Sequence, residues 1–396
     1  MTKTLTQQRL LKYYTLFGFL VIGVITLLLG QILPILSARL SLDYAEAGAL
    51  FLAQYSGSIL GTLASSRIAK RYGFTFAVLI GLFLIIAGLP GINAGQFVLC
   101  WIAVFIYGSG LGVTIPSINL LTIETTEPRL RSFAVNLINF SWGVGAICSQ
   151  PFVAAVSRDG SLVNVTVILV VAVLVLAICF SSAVRASAGE KFAETEPVPA
   201  ATRIWRRPSS WLFVAFSFFV VAIEGGLGGW LTTYTEALKQ GGIPMTNLTF
   251  VYFLFYVLGR GAAAIISRRV PENVLLFSCS VILLTGALIL VTSDSLAIIG
   301  AAIAGLGSSA IFPTNMARFA RVFGPTATLQ AAPMFIASTS GAAVISSLIG
   351  LISSIFGSLR SGIIVVVFSA VCVLILNLII ATVFRPDERP ATEGAD

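Results

Sequence analysis

One carboxylate, Glu224, stands in the otherwise apolar or glycine stretch VVAIEGGLGGWL at residues 220–231. No other charge occurs between Arg207 and Glu236. A charge at the centre of a membrane-spanning helix costs about 2.5 to 3.5 kcal/mol on insertion scales. An ionised Glu224 that faces lipid is therefore disfavoured, and we expect it to face a cavity or a partner, or to be protonated.

Three roles are open for Glu224. The first is a proton carrier, and the second is an acceptor of hydrogen bonds from the hydroxyl groups of a substrate. The third is a partner in an ion pair with Arg260 in the next apolar segment. The first two roles are compatible. A rise of 1.5 Å per residue puts Glu224 roughly 20 Å from the start of its segment, somewhat beyond the middle of the membrane. The glycines that follow it favour close helix packing.

Amide side chains are the second candidate chemistry. In the segment 132–156 a polar face recurs at helical spacing, with Trp142 beside it; its members are Asn136, Asn139, Gly143, Ala146 and Gln150. Amides donate and accept hydrogen bonds without charge, which suits a neutral polyhydroxylated substrate. Alternatively, these amide side chains form hydrogen bonds that hold neighbouring helices together.

Further amides and two tryptophans complete the predicted substrate site. Trp142 and Trp230 offer aromatic faces to a sugar ring, although Trp230 near the end of its segment also suits an interfacial anchor. The predicted binding residues are Gln31, Gln54, Asn119, Asn136, Asn139, Trp142, Glu224, Trp230 and Asn315.

Composition identifies the elements that must position these residues. The chain of 396 residues is 57% hydrophobic and 10% charged, whereas soluble domains carry about a quarter charged residues. Charge-free apolar runs have the length of helical membrane spans. The chain is therefore an all-α integral membrane protein with twelve predicted spans, within 13–38, 45–66, 75–92, 97–123, 132–156, 163–184, 211–234, 247–267, 274–292, 296–317, 328–356 and 362–384.

The placement of basic residues predicts the orientation. With a cytoplasmic N-terminus, all of the 24 Lys and Arg except Arg39, Arg158, Lys239 and Arg360 fall on the inner side or, for Arg260, inside a span. This asymmetry is the positive-inside rule. It predicts cytoplasmic N- and C-termini in a plasma membrane such as the bacterial inner membrane. It also explains the net charge of +8 without a nucleic-acid partner.

Several kinds of chemistry are disfavoured. The chain has no histidine, and its five cysteines lie singly in apolar segments without a C-x-x-C spacing. This pattern predicts no metal site, disulfide or histidine proton relay. No phosphate-binding loop of an ATPase occurs. We expect a protein that is not an enzyme and has no cofactor.

The chain divides into two similar halves. We predict a first bundle at 1–185, a cytoplasmic linker at 186–210 and a second bundle at 211–396. GLGVTIPSIN in the fourth span matches GLGSSAIFPTN in the tenth, and Gly61 before Lys70 and Arg71 matches Gly259 before two arginines. Such repeats are typical of transporters with a site near the middle of the membrane.

Twelve spans, a central linker and the stretch SRIAKRYG after the second span resemble the major facilitator superfamily, although Ser66 and Lys70 depart from its G-x-x-x-D-R-x-G signature. Within that superfamily, GQILPIL, GLGVTIPSIN, NLINFSWGVGA, EGGLGGWLTTY and SSAIFPTN resemble the fucose:proton symporter group. The resemblance implies two pseudo-symmetric six-helix bundles and a sugar substrate. It also implies that acids usual in the group are replaced here by Gln31 and Ile115, so that coupling would pass through Glu224.

The sequence therefore predicts a monomeric secondary active transporter of a monosaccharide, with symport of protons or of sodium. Alternatives are a facilitative sugar uniporter, a drug/proton exporter, a carboxylate or other metabolite transporter, and a scaffold or receptor without transport. A carboxylate transporter should expose a cation at mid-membrane. Arg260 is the candidate but is expected too near the inner side; an Arg260 at the cavity centre and unpaired with Glu224 would favour the carboxylate class.

Charges at the inner ends of the fourth and tenth spans suggest a further hypothesis. A network among Glu124, Glu127, Arg129, Arg131, Arg318 and Arg321 is expected to hold the two halves together when the transporter is open to the outside. Ordinary topogenic charge is the alternative explanation for the arginines.

Overall fold

In the computed structural model of the chain, the described residues are 2–127, 130–157, 160–187, 204–243, 246–267, 269–324, 327 and 330–384. Most of them are helical, because a chain in lipid must satisfy its backbone hydrogen bonds internally. The α-helices in these ranges are α1 (Thr2–Leu40), α2 (Tyr44–Tyr72), α3 (Phe74–Gly88), α4 (Phe97–Glu124), α5 (Arg131–Val156), α6 (Val163–Ser187), α7 (Trp211–Gln240), α8 (Leu248–Ile266), α9 (Glu272–Thr292), α10 (Ala297–Ser308), α11 (Ile311–Phe323), α12 (Ala332–Phe356) and α13 (Leu359–Val383).

The helices agree closely with the twelve predicted spans. Within the described ranges, ten helical segments are long and apolar enough to cross a membrane. The other two predicted spans are α2 and α5, which have 29 and 26 residues but more polar side chains. The tenth span consists of two helices, α10 and α11. The predicted all-α membrane fold is confirmed.

The two sides of the helical bundle differ. We call linker side the side where α6 ends and α7 begins, and distal side the opposite one. The ring of Tyr14 near the start of α1 lies 6.2 Å from Phe180 near the end of α6. The ring of Phe384 after α13 lies 5.6 Å from Phe213 in α7. Both ends of the described chain therefore lie on the linker side.

Part of the predicted linker packs against the second half. Trp205 donates from its indole nitrogen to the carbonyl oxygen of Gln330 at 3.0 Å, and its ring stacks on Phe319 of α11 at 5.6 Å. Residues 204–210 are thus tied to α11 and the start of α12, whereas 188–203 lie outside the described residues.

Equivalent helix contacts recur in the two halves. Gly108 of α4 packs on the backbone of Gln54 in α2, and Gly305 of α10 packs on the backbone of Tyr252 in α8. A side chain at either glycine would overlap that backbone, so the small residues allow the helices to approach. The matching contacts agree with the repeat predicted from the glycine and proline motifs.

The halves meet mainly through the helix pairs α1–α7, α2–α12 and α5–α8. Three hydrogen bonds between the halves lie toward the distal side. They join Gln31 to Thr232 at 2.6 Å, Ser347 to the carbonyl oxygen of Gly48 at 3.1 Å, and Ser354 to Asp43 at 3.5 Å. This conformation is therefore held closed on the distal side.

Candidate functional site

Glu224 is the fourteenth of the thirty residues of α7, close to the middle of the bundle as its sequence position predicts. Its side chain is partly exposed. The hydroxyl group of Tyr256 in α8 donates a hydrogen bond to its Oε2 at 3.0 Å. The hydroxyl group of Tyr55 in α2 lies beside Gly225, the residue after Glu224.

Arg260 lies one turn after Tyr256 on the same face of α8, because residues four apart on a helix are neighbours. Its guanidinium carbon lies 4.6 Å from the centre of the Tyr256 ring, and its Nη2 donates to the Tyr256 hydroxyl. The side chain thereby extends away from the linker side to the level of Glu224. The backbone of Arg260 lies on the linker side of Tyr256, as its sequence position predicts, whereas its guanidinium group reaches the Tyr256 hydroxyl that bonds Glu224.

The break between α10 and α11 fixes the other edge of the guanidinium. Pro313 has no N–H group, so the carbonyl oxygen of Ser309 four residues earlier has no helical donor. Arg260 Nε donates to this oxygen at 3.3 Å. The SSAIFPTN motif thus supplies an acceptor that orients Arg260.

The first half contains the same arrangement with a neutral side chain. Pro116 in α4 leaves the carbonyl oxygen of Gly112 without a helical donor, and Thr62 of α2 donates its hydroxyl to this oxygen at 3.1 Å. Thr62 and Arg260 follow Gln54 and Tyr252 by the same eight residues. Arg260 is therefore a cation at a position where the repeat places a hydroxyl group.

Glu224 and Arg260 share Tyr256 rather than touching each other. Among the described residues, the ion pairs within 4.0 Å do not include a Glu224–Arg260 contact. The Tyr256 hydroxyl accepts from the guanidinium and donates to the carboxylate. We call Glu224, Tyr256, Arg260 and Tyr55 the central cluster.

The predicted amide stripe on α5 faces the second half. Gly143 of this stripe lies opposite Val257 of α8. Asn139 donates to Oδ1 of Asn119 in α4 at 3.1 Å and to the carbonyl oxygen of Val135 at 2.8 Å. Both amides are partly exposed, and Asn136, one turn nearer the linker side, is exposed.

Two other predicted residues meet at α1. Trp142 donates to the Thr26 hydroxyl at 3.3 Å, and Gln54 donates to the Thr26 carbonyl oxygen at 3.0 Å. Gln54 is only 3% exposed, whereas Trp142 is partly exposed. Trp142 is therefore partly accessible, and the hydrogen bond of Gln54 joins α2 to α1.

The structure separates Trp230 and Asn315 from the central cluster. Trp230 is buried, donates to the carbonyl oxygen of Ser346 at 2.9 Å and contacts the ring of Phe51 at 5.6 Å. Asn315 is buried and accepts from Arg318 at 3.0 Å. Both side chains pack within helix interfaces, because rotation about the helix axis turns them away from the space beside Glu224.

Gln31 lies farther toward the distal side. Its Oε1 accepts a hydrogen bond from Thr232 of α7 at 2.6 Å. It lines a pocket of about 660 Å³ between the distal ends of α1, α5, α7 and α8, together with Gln150 of the amide stripe. The predicted amide side chains therefore lie at two levels of the bundle, and Gln31 and Gln150 belong to the more distal level.

The linker-side arginines of the second half bond within that half. Arg318 is buried and donates to Oδ1 of Asn377 at 2.7 Å, and Arg321 pairs with Glu272. Neither bond joins the two halves. Arg129 of the predicted network lies outside the described residues.

Sequence reasoning missed Tyr256 and Tyr55. Tyr256 precedes Arg260 by four residues in a predicted helix, so spacing alone would have put both on one face. Nothing in the local sequence links Tyr55 to Glu224, because the two belong to different halves.

The comparisons with known proteins agree with this fold. Residues 15–295 match the family described as Major Facilitator Superfamily. The chain is 27% identical to the 4-hydroxybenzoate transporter of Pseudomonas putida over 294 residues, which is 63% of this chain and 65% of that protein. A second 4-hydroxybenzoate transporter, from Pseudomonas aeruginosa, is 30% identical over 137 residues, 34% of this chain and 30% of that protein.

Solved structures share the fold. The E. coli fucose:proton symporter matches with a TM-score of 0.62 and 16% identity, covering 93% of this chain and 98% of that one. A nucleoside transporter matches with a TM-score of 0.73 and 13% identity, covering 96% and 100%. These likenesses concern the fold alone.

Proposed function

Since the chain belongs to the Major Facilitator Superfamily and is a multi-pass membrane transporter rather than an enzyme, we propose that it carries a small organic carboxylate together with a proton. The observation that carries this proposal is the guanidinium group of Arg260, which reaches the middle of the bundle without contacting a carboxylate. A guanidinium group at this level, without an ion pair to Glu224, favours a carboxylate over a sugar as the cargo.

Arg260 retains donors for a ligand. A guanidinium has five N–H donors, and the acceptors of Arg260 among the described residues are the Ser309 carbonyl and the Tyr256 hydroxyl. The side chain is partly exposed, so its remaining N–H groups are accessible. A planar guanidinium edge matches the two oxygens of a carboxylate.

The shared tyrosine suggests how proton and cargo are coupled. An ionised Glu224 balances the charge of Arg260 through Tyr256, so a second carboxylate gains little there. Protonation of Glu224 leaves the guanidinium charge unbalanced, and a carboxylate then restores neutrality. Charges buried in a low-dielectric site are stable only when compensated. Proton and carboxylate therefore bind together, and Glu224 is the proton carrier.

Aromatic groups support a cargo with a ring. Tyr55 of the central cluster and Trp142 of α5 are both partly exposed, whereas the ring of Tyr256 is buried. Aromatic rings pair favourably in stacked or edge-to-face arrangements. The similarity to the two 4-hydroxybenzoate transporters also favours a cargo with an aromatic ring.

The two halves supply alternating access in this proposal. Residues 1–185 and 211–396 act as two bodies joined by the linker at 186–210. The distal contacts open as the linker side closes, and the linker side is cytoplasmic in a bacterial inner membrane. A single chain contains both halves of the site, so the protein works as a monomer.

A neutral sugar is the second candidate. Asn119 and Asn139 bond each other, are partly exposed and offer uncharged donors and acceptors, which suit hydroxyl groups. In that case Glu224 and Tyr256 would bind the sugar, and Arg260 would balance the charge of Glu224.

Uptake into proteoliposomes distinguishes the two. We expect an acid-outside gradient to drive saturable uptake of benzoate or 4-hydroxybenzoate and Arg260→Gln to abolish it, whereas Arg269→Gln at the linker-side end of α8 preserves it. Saturable monosaccharide uptake without carboxylate uptake would instead establish the sugar candidate. Carboxylate uptake that is unchanged by Arg260→Gln would refute the assigned site.

A further inference from the structure

A second polar pocket lies on the distal side, apart from the central cluster. It has a volume of about 660 Å³ and opens between the distal ends of four helices. Its polar lining includes Gln31, Arg39, Gln150, Thr232, Glu236 and Asn247. Each of α1, α5 and α7 contributes at least one of these side chains, and Asn247 is the residue that caps α8.

Gln31 has an unused donor in the wall of this pocket. The side chain is 3% exposed and its Oε1 is engaged by Thr232, but its Nε2 has no hydrogen-bond partner among the described residues. A buried N–H group without an acceptor is unfavourable. A ligand oxygen in the pocket would satisfy this donor.

The charged groups of the pocket favour an anion. Arg39 bonds the carbonyl oxygens of Ile92 and Ala94, which do not neutralise its charge. Glu236 is paired with Lys239 at 2.9 Å. The charge of Glu236 is thus balanced by Lys239, whereas the described partners of Arg39 are neutral and leave its positive charge uncompensated.

The floor of the pocket separates it from the central cluster. Gly30 of α1 lies so close to α7 that a Cβ atom there would be 2.6 Å from the Gly228 carbonyl oxygen and 2.8 Å from Gly229 Cα. Thr232 at the pocket is eight residues after Glu224, about 12 Å along α7. The α1–α7 contact therefore lies between two polar sites on one path.

We propose that the distal pocket is a vestibular binding site for a small organic carboxylate, which is held there before the α1–α7 contact opens. The identity of the ligand rests on the proposed function, since the cargo of the central cluster would be the same molecule. Gln31 and Arg39 supply the donors, and the amides Gln150 and Asn247 line the site.

Cysteine protection tests the site directly. In a cysteine-free background, Ala154→Cys introduces a thiol on the pocket wall, and Gly95→Cys introduces a control thiol in an open distal loop. We expect 4-hydroxybenzoate and benzoate to slow labelling at 154 by a membrane-impermeant maleimide several-fold, with no effect at 95. Neutral benzamide should give no protection. Protection should persist in Arg260→Gln, which removes the central site only.

Transport kinetics test the role of the site. Ala154→Trp fills the pocket, and Ala155→Trp places the same bulk at the next, exposed position of α5, outside the pocket lining. We expect Ala154→Trp to raise KM several-fold with Vmax retained, and Ala155→Trp to leave both unchanged.

Two results would overturn the vestibular site while wild-type carboxylate uptake continues. One is labelling at 154 that is insensitive to carboxylate or loses its protection in Arg260→Gln. The other is equal KM for Ala154→Trp and Ala155→Trp. Absence of carboxylate uptake by the wild type refutes the proposed function instead.

Discussion

Arg260 gives the second half a charge that the first half lacks at the corresponding position. Thr62 and Arg260 make the same contact, to a carbonyl oxygen freed by a proline, but only Arg260 is charged. A hydroxyl would satisfy that carbonyl equally well. Holding α8 against α10 therefore does not require the guanidinium charge or its bond to Tyr256. We expect this charge to serve ligand binding, and Glu224 to be the ionisable group that interacts with it through Tyr256.

Glu224→Gln tests the proton carrier. The amide cannot ionise, so cargo should still bind and exchange across the membrane, but a proton gradient should no longer drive accumulation. Counterflow and gradient-driven uptake measured in the same proteoliposomes separate the two. Unchanged accumulation would eliminate the role, and loss of binding would indicate a substrate ligand.

Tyr256→Phe tests the bridge between the charges. Loss of a hydrogen bond to a charged group costs about 1.5 to 3 kcal/mol, which corresponds to roughly tenfold or more in affinity. We expect a higher KM and weaker coupling to the proton gradient. Tyr252→Phe is the matched control, since its hydroxyl bonds neither Glu224 nor Arg260 in this structure. Equal effects of the two variants would contradict the bridge.

At the scale of elements, the distal closure depends on glycines. Gly30 meets Gly228 and Gly229 where α1 crosses α7, and Gly48 meets Gly350 where α2 crosses α12. Without side chains the backbones approach closely, so dispersion contacts hold the helices together without a salt bridge. Such contacts are broken by modest separation of the helices, which suits a gate.

Gly30→Val should shift the protein toward a distal-open state, because the new side chain overlaps α7. Spin labels at Ala38 and Gln240, on the distal ends of α1 and α7, should report longer distances by double electron–electron resonance. Gly261→Val, where a Cβ meets no atom within 4 Å, is the control. An unaltered distance distribution in Gly30→Val would argue against this gate.

At the scale of the whole molecule, the proposed orientation depends on the distribution of basic residues, and the proposed coupling depends on the charges of the central cluster. Basic residues concentrate on the linker side, as the positive-inside rule requires of a cytoplasmic face. A carboxylate and a proton that bind together carry no net charge through the membrane.

The orientation is tested by labelling in intact cells. In a cysteine-free background, a cysteine at Gly95 should react with an impermeant maleimide, and one at Arg207, just before α7, should react only after permeabilisation. Reaction at 207 in sealed cells would reverse the proposed orientation.

The coupling is tested with imposed gradients. Cargo accumulation should follow the pH gradient, and a potassium diffusion potential without a pH gradient should drive none. A sodium gradient at equal pH should also be ineffective. Accumulation driven by voltage or sodium alone would contradict one-to-one proton–carboxylate symport.

The sequence by itself determined the helical spans, the mid-membrane position of Glu224 and the repeat of glycines and prolines. These features depend on local composition and on counting along a helix, so they need no knowledge of packing. The sequence could also have linked Tyr256 to Arg260 through their spacing of four residues.

Only the tertiary structure decided which polar residues meet. It brought Arg260 to the level of Glu224, put Tyr256 between them, buried Trp230 and Asn315 in helix interfaces and moved Gln31 to a distal pocket. The rotation of each helix about its axis and the pairing of helices distant in sequence set these contacts. Both depend on the fit of many side chains at once, which no single segment encodes.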